Sequence, residues 1–185
     1  MFISRLRTML LVAAISPAAA FGVSAQTAAP APAPAPTAAA PAAPMAYGAP
    51  IDLATAKKAM AAAEAEAIKN NWPVAISIVD SGGHLVLFQR QPNTQLGSIQ
   101  IAHGKATTSV NLRRPTKALE DGITAAAGPQ GVSTGLRLLG VPGIYALEGG
   151  IPIVNDGKII GAIGVSGVLS SQDAVVARAG ADAAK

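Results

Sequence analysis

The sequence predicts an α+β domain: an antiparallel sheet of about five strands flanked by helices, preceded by a signal peptide and an Ala/Pro linker. Three observations predict it. Two β-branched runs each fold back through a glycine-containing turn, Ser81-Gly82-Gly83 and Asn155-Asp156-Gly157, and hairpins rather than βαβ units imply antiparallel pairing. Segments with helical spacing separate and flank these runs. The first 50 of the 185 residues read as an export signal and a spacer, which leaves residues 51–185 as one domain of ordinary size.

The elements follow in order. Arg5 and Arg7 form a positive n-region and Met9 to Ile15 a short apolar core, and Val23-Ser24-Ala25 supplies the small residues a signal peptidase reads. Residues 1–25 are thus expected to be removed, leaving Gln26 as the new N-terminus. A spanning helix needs about 20 apolar residues, and Ser16-Pro17 interrupts this run first. No later stretch is long and apolar enough to span, so no integral membrane segment is expected after cleavage, and the address is periplasmic or secreted. Residues 26–50 alternate Ala with Pro. Proline fixes φ and removes the N–H, so a semi-rigid spacer is expected.

Asp52 is a good N-cap for a helix to about Asn71, with Leu53, Ala56, Met60, Ala63 and Ala67 on one face. Pro73 ends it. Val74 to Val79 and His84 to Phe88 make the first hairpin, and Asp80 at the strand end reads as a turn former. A second helix is expected from Leu96 to about Leu112, with Arg113-Arg114 suiting its C-terminus. Thr116 is placed to cap a shorter helix through Ile123. Residues 124–143 are dense in Gly and Pro and read as loop, with a helical turn near Leu136 to Leu139. Gly150 to Val154 and Lys158 to Val165 form the second hairpin, with Asp-Gly at its tip. A last helix starts at Ser170-Ser171-Gln172-Asp173.

Charge and composition exclude several functions. The net charge of +4 falls to +2 once Arg5 and Arg7 leave, 12 basic residues against 10 acidic. No cluster of Lys and Arg remains, so nucleic acid is not an expected partner. There is no cysteine, which excludes disulfides, thiolate metal sites and Cys nucleophiles. Gly161, Gly164 and Gly167 fall inside a strand and mark close backbone approach, not a phosphate loop. Gly164-Val165-Ser166-Gly167-Val168 lacks the final glycine of a nucleophile elbow. Two histidines and scattered carboxylates match no usual zinc spacing.

His103 needs its own account. At about 100° per residue it lies roughly 40° from Ile99 and 60° from Ala106, so it borders the apolar stripe with Thr107 beside it and Lys105 directed away. A histidine there suits a single axial ligand for a flat apolar cofactor such as haem, or a core histidine bonded to a carbonyl. His84 follows a Gly-Gly turn and is expected to face solvent.

Five blocks occur in order: Val79-Asp80-x-x-Gly83-x-Leu85-Val86; Ala102-x-x-Lys105-Ala106-x-Thr108; Gly149-Gly150-Ile151-Pro152-Ile153; Gly161 to Gly167; and Asp173-x-x-Val176-Ala177-x-Ala179-Gly180. In this the chain resembles the GlcG/HbpS-like haem-binding family over residues 52–185. It departs from that family at Gln91-Pro92, where Met-Asp is common, and at Ser109, where Ala is usual. The resemblance implies an antiparallel sheet flanked by helices, a homo-oligomer, and haem or another tetrapyrrole as ligand in some members. On it, His103 is the expected iron ligand, with Lys105, Thr107 and Thr108 as further cofactor-binding candidates. A binding protein is the leading expectation over an enzyme, since no acid, base or oxygen-activating residue can be assigned. The alternative is an accessory or catalytic subunit acting on a small organic substrate in a catabolic pathway, with Asp80 and Arg90 as its polar groups.

Overall fold

The computed structural model describes residues 43–125 and 134–185. The expected signal peptide and most of the spacer lie outside them, as does part of the glycine-rich loop. Helix α1 spans Leu53–Lys69, and Asp52 caps it by accepting the Thr55 N–H at 2.7 Å. It buries Ala56, Ala59, Met60, Ala63 and Ala67, whereas Leu53, expected on that face, is exposed. Strands β1 (Ala75–Asp80) and β2 (Leu85–Arg90) form the first hairpin. Its turn is closed by Asp80, whose Oδ1 accepts the N–H groups of Gly82 and His84 at 2.8 and 2.9 Å.

Helix α2 spans Gly97–Asn111 and α3 Lys117–Thr124. Thr116 does not cap α3: its backbone is already helical, and its hydroxyl accepts the Gly150 N–H at 2.9 Å. A 3-10 segment, Thr134–Gly140, stands where a helical turn was expected. Strands β3 (Gly150–Asn155) and β4 (Lys158–Ser166) turn through Asp156 and Gly157 at φ +48° and +72°, the pair of left-handed residues that a tight hairpin requires. Helix α4, Ser170–Ala183, closes the chain.

The described sheet has four strands in the order β2-β1-β4-β3, every neighbour antiparallel. About five were expected. The place beside the start of β4, where β1 runs out, is filled by the segment before α1 through a single parallel bridge, Tyr47 to Ile159. Ile159 donates to Ala46 O at 2.9 Å and accepts from Gly48 N at 2.8 Å. The Tyr47 hydroxyl donates to Val110 O at 2.8 Å, and Arg113 lies 5.5 Å over its ring. Residues 46–50, expected as the end of the spacer, are therefore docked on the domain.

Two helices cover one face of the sheet and one covers the other. α1 and α4 pack on Ile76, Ile78, Ile151, Ile153, Ile163 and Val165. On the opposite face α2 lies over β1, β4 and β3, with Val79, Ala106, Val110, Ile159 and Ala162 as its apolar part. The approach is tight at Gly164, where a Cβ would collide with the Ala102 carbonyl oxygen and the Ala106 backbone. This is the close approach that a glycine inside a strand signals. Edge strand β3 turns both backbone groups of Gly150 outward to Thr116, and two residues on it carries Pro152, which has no N–H to expose.

Candidate functional site

Helix α2 presents four candidate residues, and the fold sends them in three directions. His103 is half-buried. Its Nδ1 lies 3.2 Å from the hydroxyl of Ser77, which is fully buried on β1. With Nδ1 so engaged, Nε2 is the nitrogen left for a ligand; that role requires Nδ1–H to donate to the serine oxygen. Thr107 lies about 40° round the helix from His103 and is half-buried on the same side. Its hydroxyl donates to His103 O at 3.1 Å, which ties it to the backbone beneath the imidazole.

Lys105 goes elsewhere. The sequence directs it away from the apolar stripe, and it is 2% exposed. Its ammonium meets Asp173 Oδ2 at 2.8 Å and Val165 O at 2.9 Å, so it points across β4 to the first turn of α4. Asp173 is equally buried and also accepts the Val168 N–H at 3.2 Å. Burial pushes its carboxyl above the ordinary value, opposed by Lys105 and by the nearby N–H groups of Val168 and Gly167. Gly149, at φ +120°, passes so close that a Cβ there would meet Asp173 and the Lys105 ammonium at about 3 Å. Lys105 is thus a structural strut and not part of the His103 surface.

Thr108 takes the third direction. It is fully buried, donates to Gly143 O at 3.3 Å and accepts the Tyr145 N–H at 2.9 Å. The Tyr145 ring lies against Gly104, where any Cβ would clash with it. Thr108 therefore anchors the loop before β3. Of the four candidates, His103 and Thr107 alone share one half-open face.

That face continues onto β2. Partners in an antiparallel pair point to the same side, and the register places Phe88 opposite Ser77, Arg90 opposite Ala75 and Leu85 opposite Val79. α2 covers the other three strands, while Phe88 is half-buried, Arg90 exposed and Leu85 56% exposed. Ile99, one turn before His103, and Leu96 are also exposed, Leu96 by 75%. The result is an open strip between α2 and β2 with apolar walls and the His103 imidazole at its base.

The other polar candidates are engaged or apart. His84 has an 83% exposed side chain and lies 3.4 Å from Asp80. Asp80 holds the hairpin turn. The Ser166 hydroxyl bonds Ser98 at 3.2 Å, not a histidine. Among the described residues no group of three His, Asp or Glu side chains converges to hold a metal ion, and no helix is long and apolar enough to cross a membrane. A cavity of about 430 Å³ opens at the other edge of the sheet, lined by Pro115, Lys117, Gly150, Ile151, Val175 and Arg178. Sequence reasoning missed Ser77, Phe88 and the Lys105–Asp173 pair. Ser77 did leave a signal: it is a lone hydroxyl among the β-branched residues of β1.

A model of the family described as "Haem degrading protein HbpS-like" matches residues 51–182. The chain is 39% identical over 134 residues to an uncharacterized 15.0 kDa protein of the dhaT-dhaS intergenic region of Citrobacter freundii, covering 72% of this chain and 92% of that one. Among solved structures, a double mutant of Streptomyces reticuli HbpS is similar with a TM-score of 0.65 at 30% identity, over 82% of this chain and 97% of that one. A complex of PduOC with haem is similar with a TM-score of 0.64 at 28% identity, over 72% and 94% of the two chains. On these matches the chain belongs to the HbpS-like haem-degrading protein family.

Proposed function

We propose that this chain is an exported protein that binds haem or a related tetrapyrrole, for sequestration, carriage or sensing. One observation carries the reading. A half-buried imidazole stands at the base of an apolar strip with its Nδ1 turned to a buried serine. A haem-ligating histidine needs that arrangement: one nitrogen oriented by the protein, the other directed at the iron, and an apolar wall for the ring edge. The haem complex of PduOC supports the ligand class. Bound haem would supply a redox-active iron. The chain's own part is to orient the His103 ring through Ser77 and to exclude water with Phe88 and Ile99.

Export rests on Arg5, Arg7 and Val23-Ser24-Ala25, and places the protein in the periplasm or outside the cell. Assembly into a homo-oligomer is supported by exposed Leu85, Leu96 and Ile99 beside edge strand β2. A second copy over the strip would give the tetrapyrrole its other wall. The catabolic-subunit reading has less support, because Asp80 is held in the hairpin turn and Arg90 stands at the opposite end of that hairpin.

The test is a haemin titration of the protein from Gln26 onward. A shifted, sharpened Soret band is expected for the wild type and for His84→Ala, and in His103→Ala the band should revert toward that of free haemin. An unchanged band in His103→Ala, accompanied only by a lower melting temperature, would make His103 a core residue and sink the assignment.

A further inference from the structure

Resting on the tetrapyrrole reading of the His103 strip, we infer that the strip selects for a ring bearing free carboxylates, with Arg90 as the carboxylate-binding residue and Phe88 as the ring wall. The two ends of the strip differ in chemistry, and the hydrogen bonds of α2 fix which end is which. Ser98, in the first turn of α2, meets Ser166. Ser166 pairs with Ala75, and Ala75 with Arg90. The Leu96–Ile99 end of the helix and the Arg90 end of β2 therefore lie at the same end of the sheet. The other end is closed by Val110 and Asn111 at Gly83.

Along β2, Phe88 stands opposite the serine that holds His103, and Arg90 follows two residues later on the same face, about 7 Å further along the strand. The iron ligand and the aromatic wall thus face each other across the two strands, and the guanidinium follows the wall along β2. Haem has the same order: metal at the centre, an apolar macrocycle around it, and two propionates on one edge. Arg90 is exposed and holds no salt bridge among the described residues. The acids of this neighbourhood are directed elsewhere: Glu64 bonds Gln89 on the opposite face of β2, and Asp80 closes the turn at the far end. A planar guanidinium suits a carboxylate because it offers two parallel N–H donors.

The test compares haemin with its dimethyl ester, in which both propionates are masked, on the full mature protein. Wild type is expected to bind haemin more tightly than the ester by about tenfold, the size of a charge-assisted contact at a partly exposed site. Arg90→Gln should lose that preference by weakening haemin alone, and Arg90→Lys should restore part of it. His103→Ala should remove the Soret signature of both ligands. If wild type binds the two equally, or Arg90→Gln weakens both alike while His103→Ala still removes the signature, the carboxylate role of Arg90 fails and the haem reading stands. Absence of any protein-induced shift or sharpening of the Soret band with either ligand overturns both. Thermal melts of the Arg90 variants, expected within about 0.5 kcal/mol of wild type for an exposed site, show that the fold is intact.

Discussion

Beneath α1 and α4 the sheet presents Ile76, Ile78, Ile163 and Val165, and the helices answer with alanines; the sole buried polar side chain on those helices is Asp173, at the first turn of α4. Beneath α2, Ser77, Ser98, Lys105, Thr108, Ser109 and Ser166 are all buried, each with a hydrogen-bond partner. Apart from Asp173, the first face rests on apolar burial, which is non-directional and tolerant of small shifts. The second depends on groups that must meet at fixed distances. It is also the face left open over β2. Chemistry and structural vulnerability lie together on the α2 side.

The sharpest way to break this contrast is the strut between the two sides. Asp173→Asn leaves the Lys105 ammonium buried without its counter-charge and should cost about 3–5 kcal/mol in denaturant unfolding. The double variant Lys105→Met, Asp173→Leu should regain most of that loss. A single variant within about 1 kcal/mol of wild type would show that the pair carries little of the fold's stability.

Next in size are two glycines at helix–sheet contacts, one on each face. Gly164→Ala drives a methyl into the α2 backbone and should cost about 2–3 kcal/mol. Gly180→Ala, on α4, meets the Ile163 side-chain tip as well as Ala59 O and should cost about 1–2 kcal/mol, since a side-chain tip can yield. The reverse order would mean that the α2 face is the softer one.

Ser77→Ala probes the polar face where it meets the site. Stability should fall by about 1 kcal/mol, the worth of one hydrogen bond, while haem affinity falls by about tenfold or more, as for other residues that orient a ligating histidine. A stability loss with unchanged affinity would leave Ser77 a purely structural partner.

The smallest effect is the response of the Asp80 turn to acid. Desolvation raises the Asp80 carboxyl, but the N–H groups of His84 and Gly82 outweigh it and hold it below 3.8. Its contribution is present above that value and is lost as pH falls through the folded pKa. Asp80→Asn should remove up to about 1 kcal/mol of the acid-induced loss, and the gap between variant and wild type should close below about pH 3. A gap unchanged between pH 7 and pH 2 would count against the turn bonds as its source.

Local signals were legible where the chain's own neighbours decide the outcome. Asp52 capping α1, Asp156-Gly157 turning the second hairpin and the glycines of β4 all follow from residues within a few positions, and the helix wheel located His103. What the sequence hid is decided across the sheet. The burial of Lys105 is not legible in its own segment because its acid partner lies 68 positions away, on a helix whose first turn welcomes an aspartate for its own reasons. Phe88 gains meaning only from its register with Ser77. The expected fifth strand is absent among the described residues, and the one further bridge, Tyr47 to Ile159, comes from a stretch whose prolines argue against pairing.

That Tyr47 clasp also has a mechanical side. Ala46 and Gly48 grip Ile159 through backbone bonds that run across the strand direction, and the Tyr47 hydroxyl and Arg113 tie the same residue to the end of α2. A pull on the chain before Ala46 loads these bonds in shear and together, the loading under which paired strands resist most. The load passes into β4, one of the two inner strands, which touches both helical layers, before it reaches α1. A domain fastened in this way can be hauled by its N-terminal side and keep the His103 strip in register.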